Sequence, residues 1–184
     1  MDAEISSVPL PGLGRKVFAT AAERDRAVVA AAAEVVQAYP SSAAARTASL
    51  AAGDAHLRLG EWDAALESYQ RFLSGTAEDS LRFAALEGVA AAQEGKGDLA
   101  QAAAAYERLG AEAAAFKDRA ALERARVLSR AGKAEEARAI LKRFPEDFKD
   151  SPLRSEAEDR LRRLGAGERE GRVGAAAPPA GGAA

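Results

Sequence analysis

Amphipathic runs with helical spacing fill the chain from about residue 20 to residue 164, and no stretch alternates apolar and polar residues over the length of a half-buried strand. The pattern predicts helices at about 20–39, 43–59, 62–73, 79–94, 98–109, 115–131, 134–144 and 152–164, and essentially no sheet. Four of the runs are followed by glycine, at Gly60, Gly97, Gly132 and Gly165, with spacings of 37, 35 and 33 residues. Ala32, Ala65, Ala102 and Ala137 keep the same beat, three of them five residues after a marker glycine. Tyr39-Pro40 returns as Phe144-Pro145, 105 residues later. A period in this range is the signature of a helical solenoid. Physically it reads as a pair of antiparallel helices per repeat, in which glycine ends the first helix in a left-handed conformation and small alanines let the pair approach. In chain order the helices are a lone second helix, three full pairs and a closing first helix. Asp79 or Ser80 is the expected N-cap of the fourth helix, and Ser151 followed by Pro152 is that of the last.

The two ends differ from the middle. Pro9, Pro11, Gly12 and Gly14 break regular structure, so residues 1–18 read as an extended arm, whose Leu10 and Phe18 are placed to lie along the solenoid or in a neighbour's groove. From Gly165 onward the sequence GAGEREGRVGAAAPPAGGAA offers little to bury. Residues 165–184 therefore read as a disordered tail after a helical domain at 19–164.

Composition refines this picture. Hydrophobic residues make up 48% of the 184, but many are alanine and aromatics supply 5%, which suits closely approaching helices rather than a large aromatic core. A formal charge of -2 gives no net electrostatic reason to hold nucleic acid or anionic lipid, so no nucleic-acid partner is expected. There is no cysteine, which excludes disulfides and thiolate metal sites. The longest uncharged apolar run, Ala27 to Ala33, is far too short to cross a bilayer, so no membrane insertion by this chain is expected.

Candidate chemistry is sparse. Gly95-Lys96-Gly97-Asp98-Leu99-Ala100 nominally fits a dinucleotide fingerprint, but it follows a helix rather than a strand, and the repeat phase accounts for Gly97. His56 has neither a cysteine nor a second histidine to complete a metal site. With no GxSxG elbow and no HExxH helix, a carboxylate pair such as Asp54 with Glu87 is what remains for catalysis. No catalytic residue, cofactor or metal is expected. Trp62, Tyr69, Phe72, Tyr106, Phe116 and Phe144 fall where helices pack and read as core residues.

The repeats share quotable residues. In the first full pair Ala52-Gly53 are small residues midway along the first helix, Gly60-Glu61-Trp62-Asp63 is the turn, and Ala65 with Tyr69 marks the second helix. The next pair has Val89-Ala90, Gly97-Asp98-Leu99 and Ala102 with Tyr106, and the third has Ala125, Gly132-Lys133 and Ala137 with Leu141. On these residues the region from about 20 to 164 resembles the tetratricopeptide repeat (TPR) family, departing from it where Ser49 and Ala121 replace a large residue early in the first helix. Within the family it looks most like bacterial envelope-associated proteins such as the YfgM-like group, whose members carry a membrane helix ahead of this region.

The resemblance implies an all-α fold, a right-handed αα superhelix (a TPR-like solenoid) of about eight helices, with about three full repeats plus flanking helices. It also implies a non-enzymatic protein-protein interaction scaffold or adaptor, in bacterial cell-envelope protein assembly or translocation, holding a protein or peptide partner on its concave face. Carried onto this sequence, the concave positions are Thr47, Leu50, Asp54 and Leu57, then Ala84, Glu87, Ala91 and Glu94, then Arg119, Leu122, Arg126 and Ser129, with Arg130 alongside. Asp54, Glu87 and Glu94 suit a basic or amphipathic segment, and Arg119, Arg126 and Arg130 suit a carboxylate. The family's chaperone-tail clamp needs a basic residue where Leu50 and Glu87 stand and asparagine where Asp54 and Ala91 stand, so such tails are not expected to bind. The alternative is a homo-oligomer, a self-associating spacer that stacks through residues 20–39 and 152–164. The first helix reads either as a cap or as the remainder of a chain with an upstream anchor. Localisation stays open between periplasm-facing, behind an anchor absent from this chain, and cytoplasmic.

Overall fold

The computed structural model describes residues 18–75 and 79–175. These form eight α-helices and no strand: α1 (Ala21–Ala38), α2 (Ala43–Leu59), α3 (Trp62–Leu73), α4 (Asp79–Lys96), α5 (Leu99–Glu112), α6 (Lys117–Arg130), α7 (Ala134–Asp147) and α8 (Arg154–Ala175), with a 3-10 turn at Ala114–Phe116 before α6. Each helix packs on its neighbours in sequence, and α2 also touches α4. This is the quasi-one-dimensional stacking in which each pair covers the face of the next. The pairs are α2 with α3, α4 with α5 and α6 with α7, preceded by the lone α1 and closed by α8. The expected all-α, TPR-like solenoid is therefore present.

The turns explain the regular beat. Gly60, Gly97 and Gly132 sit at φ 75, 82 and 77, a region where a Cβ is disfavoured. In each turn the glycine N–H and the next N–H both return to the end of the first helix; at Gly60 they reach Leu57 O at 3.2 Å and His56 O at 2.9 Å. Gly165 does not join this series. It lies inside α8, which runs to Ala175, because a glycine within a helix weakens it by only about 1 kcal/mol and does not stop it. Residues 165–175 of the expected tail thus continue α8, while 176–184 and the arm residues 1–17 lie outside the described residues.

Capping departs from expectation at the last helix. Ser151 stands three residues ahead of α8, where its hydroxyl accepts from Leu153 N–H at 3.1 Å and donates to Asp118 Oδ2 at 2.6 Å. It ties the loop back to α6. The side chains of Asp79 and Ser80 lie outside the described residues. Thr20, Ser42 and Asp98 cap α1, α2 and α5 through side-chain bonds to the N–H groups of Glu23, Ala45 and Gln101.

The marker alanines are where the helices touch: Ala65, Ala102 and Ala137 are 0% exposed. Of the expected core aromatics, Tyr69, Phe72, Tyr106 and Phe144 are buried, Trp62 is half-buried, and Phe116 stacks on Phe83 with ring centroids 4.2 Å apart. The Tyr39 and Phe144 correspondence does not survive folding. Tyr39 is 64% exposed at the end of α1, the first of the described helices, whereas Phe144 is buried, and Pro145 lies within α7 rather than past its end. The tightest packing is around Tyr69, whose ring lies between Gly53 of α2 and Gly88 of α4. A Cβ at Gly53 would sit 2.7 Å from the ring, and one at Gly88 closer still.

A buried charge fastens α1. Asp25 is 2% exposed and accepts from Arg58 at 3.0 and 3.1 Å and from Arg24 at 3.1 Å. The Arg58 hydrogen bond chiefly holds its carboxyl below the ordinary value of 3.8. Arg58→Ala strands a buried carboxylate on Arg24 alone and costs about 2–3 kcal/mol, while Asp25→Ala frees arginines that rehydrate and costs about 1 kcal/mol. Urea titration checks this asymmetry; equal losses would refute it.

Candidate functional site

The first helices α2, α4 and α6 carry the residues assigned to the concave face. On α2, Thr47 is exposed and its hydroxyl donates to Ala43 O at 3.2 Å, and Leu57 is half-buried against the core. Asp54 accepts from the Tyr69 hydroxyl at 2.7 Å, an interaction that raises the tyrosine's pKa further beyond what burial already does. Leu50 is 9% exposed and Leu122 only 2%, so these two belong to the core and offer almost no surface to a partner. On α4, Ala84 is exposed and Ala91 half-buried.

The charged residues are engaged with one another. Arg119 donates to Glu87 at 2.7 Å, and Arg126 makes a two-pronged pair with Glu94 at 2.7 and 2.9 Å, which Arg130 also contacts. The acidic stretch of α4 and the basic stretch of α6, read from sequence as separate attractions for a partner, neutralise each other. The cause is stacking: equal positions of successive repeats lie side by side, so opposite charges about one repeat apart meet. The same spacing gives Asp25 with Arg58, Asp63 with Lys96 and Glu123 with Arg160. Sequence reasoning missed these ties; complementary charges 32 to 37 residues apart are the signal that could have found them.

Around α6 the ties form a network. Burial alone would raise the Glu123 carboxyl, but hydrogen bonds from Arg126 at 2.6 Å and Arg160 at 3.0 Å outweigh it and hold the group below the ordinary 4.5. The Glu94 and Glu123 bonds strengthen protonation of Arg126 in turn, Glu94 most. Burial, with the nearby Glu94 and Glu123 charges, pushes the Tyr106 hydroxyl up to about 12. Arg160 additionally donates to the Leu122 carbonyl at 2.9 Å and to Glu156 at 2.6 Å, fastening α8 to α6.

Between α6, α7 and α8 lies a cavity of about 700 Å³. Ala134, Leu141 and Leu164 give it apolar walls, and Arg126, Arg130, Arg160 and Arg163 bring four guanidiniums to it. Its volume falls within the roughly 300–1,000 Å³ of ligand-binding clefts. Sequence reasoning reached Arg126, Ser129 and Arg130 but missed Arg160, Arg163 and Leu164, because α8 was treated as a closing cap and given no concave positions. Among the described residues no group of three or more histidine, cysteine or acidic side chains is placed to hold a metal ion. No described helix is long and apolar enough to cross a membrane.

A tetratricopeptide repeat model matches the chain at residues 47–74, which span most of α2 and α3, and at residues 119–151, which span α6 and α7. No curated protein and no solved structure matches it. Repeats of this kind generally mediate protein-protein interactions and are typically non-enzymatic, which fits a scaffold or adaptor. Together the stacked helix pairs and the two matched segments, with α4 and α5 in the same phase between them, support a tetratricopeptide repeat protein with an all-α solenoid fold.

Proposed function

We propose that this chain is a non-enzymatic interaction scaffold that receives a protein segment in the groove between α6 and α8. The observation that carries the reading is the cavity itself, which combines apolar walls with converging guanidiniums at the closing end of the stack. Farther along the concave face Glu87 and Arg119 already satisfy each other, so the cavity is where unused binding capacity concentrates. The resemblance to envelope-associated repeat proteins supports a setting in bacterial cell-envelope assembly or translocation.

Substitution of Leu50 or Leu122 would report on the core rather than on binding, so the test uses a residue that lines the cavity without holding the fold. Ser129→Trp fills the groove. Cross-linking in native cells followed by mass spectrometry should lose the cross-linked partner with this variant while its helical content and Tm stay near wild type. Recovery of the same partner at the same yield would remove the groove assignment. The alternative of a stacking spacer has less support, since the exposed large apolar side chains among the described residues are Tyr39 and Leu81, neither of them on α8.

A further inference from the structure

We propose that the groove between α6 and α8 selects a segment bearing an acidic side chain beside an aliphatic one, with the carboxylate held by Arg130 and Arg163 and the aliphatic group laid on Ala134 and Leu164. This rests on the groove being the partner site, and it follows from which donors remain unused. Arg126 is occupied by Glu94 and Glu123, and Arg160 by Glu123, Glu156 and the Leu122 carbonyl. Arg130 gives one N–H to Glu94 and is 53% exposed. Arg163 is exposed, lines the cavity and makes no ion pair with any described residue. Four guanidiniums therefore face three carboxylates, and the surplus cation is Arg163, with Arg130 only partly committed.

The surroundings narrow the ligand. Glu94, Glu123 and Glu156 stand beside the arginines, so a chain of phosphates would be repelled by them, whereas a single carboxylate bridging Arg130 and Arg163 meets the donors they leave free. The half-buried Ala134 and Leu164 have no use for a bare anion but cover an aliphatic side chain. An acidic residue next to leucine, isoleucine or valine meets both requirements at once.

Fluorescence anisotropy of the full chain tests this with labelled decapeptides of glycine and serine that carry either a central Asp-Leu-Asp-Leu or its Asn-Leu-Asn-Leu counterpart. The acidic peptide should bind about tenfold more tightly than the amide, and Arg130→Gln with Arg163→Gln should abolish that preference. Both arginines are exposed and Arg126 still holds Glu94 in the double variant, so the fold is retained. Equal affinity for the two peptides, absence of acidic-peptide binding, or a preference that survives in the double variant would overturn the proposal. Ser129→Trp separates this from the parent reading. If the amide peptide binds as well as the acidic one and Ser129→Trp abolishes both, the groove stands and its acid selectivity falls. Binding untouched by Ser129→Trp removes the groove as well.

Discussion

Tyr69→Ala lowers the stability of this protein by about 3–5 kcal/mol, a large part of the margin of an ordinary domain. The ring is 0% exposed and lies between two glycines on different helices, Gly53 and Gly88, so its removal leaves a void that neither backbone can close. Tyr69→Phe separates the contributions: it keeps the ring and loses the 2.7 Å bond to Asp54, for a cost of about 1–1.5 kcal/mol. Gly88→Ala probes the same contact from the other side, driving a Cβ into a ring that has nowhere to move, with a loss of about 1–3 kcal/mol. Thermal unfolding followed by circular dichroism reads all three. A loss below about 1 kcal/mol for Tyr69→Ala would show that this contact does not join α2 to α4.

The second large effect belongs to Arg126. Arg126→Ala leaves Glu94, 14% exposed, to Arg130 and leaves Glu123, 21% exposed, to Arg160. Because Arg126 is itself one third exposed and its partners keep a second cation, the expected loss is about 2–3 kcal/mol rather than that of a fully buried pair. Arg130→Ala, at a site 53% exposed, costs less than about 1 kcal/mol. The pH dependence carries a definite sign. Glu123 has its folded pKa lowered, so its contribution is fully present above the ordinary 4.5 and is lost as pH falls through the lowered value. The difference between wild type and Arg126→Ala should therefore be constant near neutrality and shrink on acidification. A difference that grows below pH 4.5 would contradict the network.

Much of the architecture could be read before any coordinates. The bounds of α2 and α3, the left-handed glycines at 60, 97 and 132, and the burial of Ala65, Ala102 and Ala137 follow from local backbone chemistry and a repeated pattern. Gly88 was less visible, since its need for a missing side chain arises from Tyr69 on another helix. The candidate site was half legible. Arg126 and Arg130 were found from their register on α6, but Arg160, Arg163 and Leu164 arrive only because α8 docks beside it.

The sequence by itself determined a stack of paired helices with a period of 33 to 37 residues, because glycine turns and small buried residues act within one repeat and need no knowledge of the next. Only the tertiary structure decided that Glu87 and Glu94 meet Arg119, Arg126 and Arg130 instead of facing a partner, that Leu50 and Leu122 sink into the core, and that the uncommitted Arg163 stands beside the partly committed Arg130 at the closing end. Those outcomes depend on how closely successive repeats approach, and electrostatic pairing and burial both change over a few ångströms.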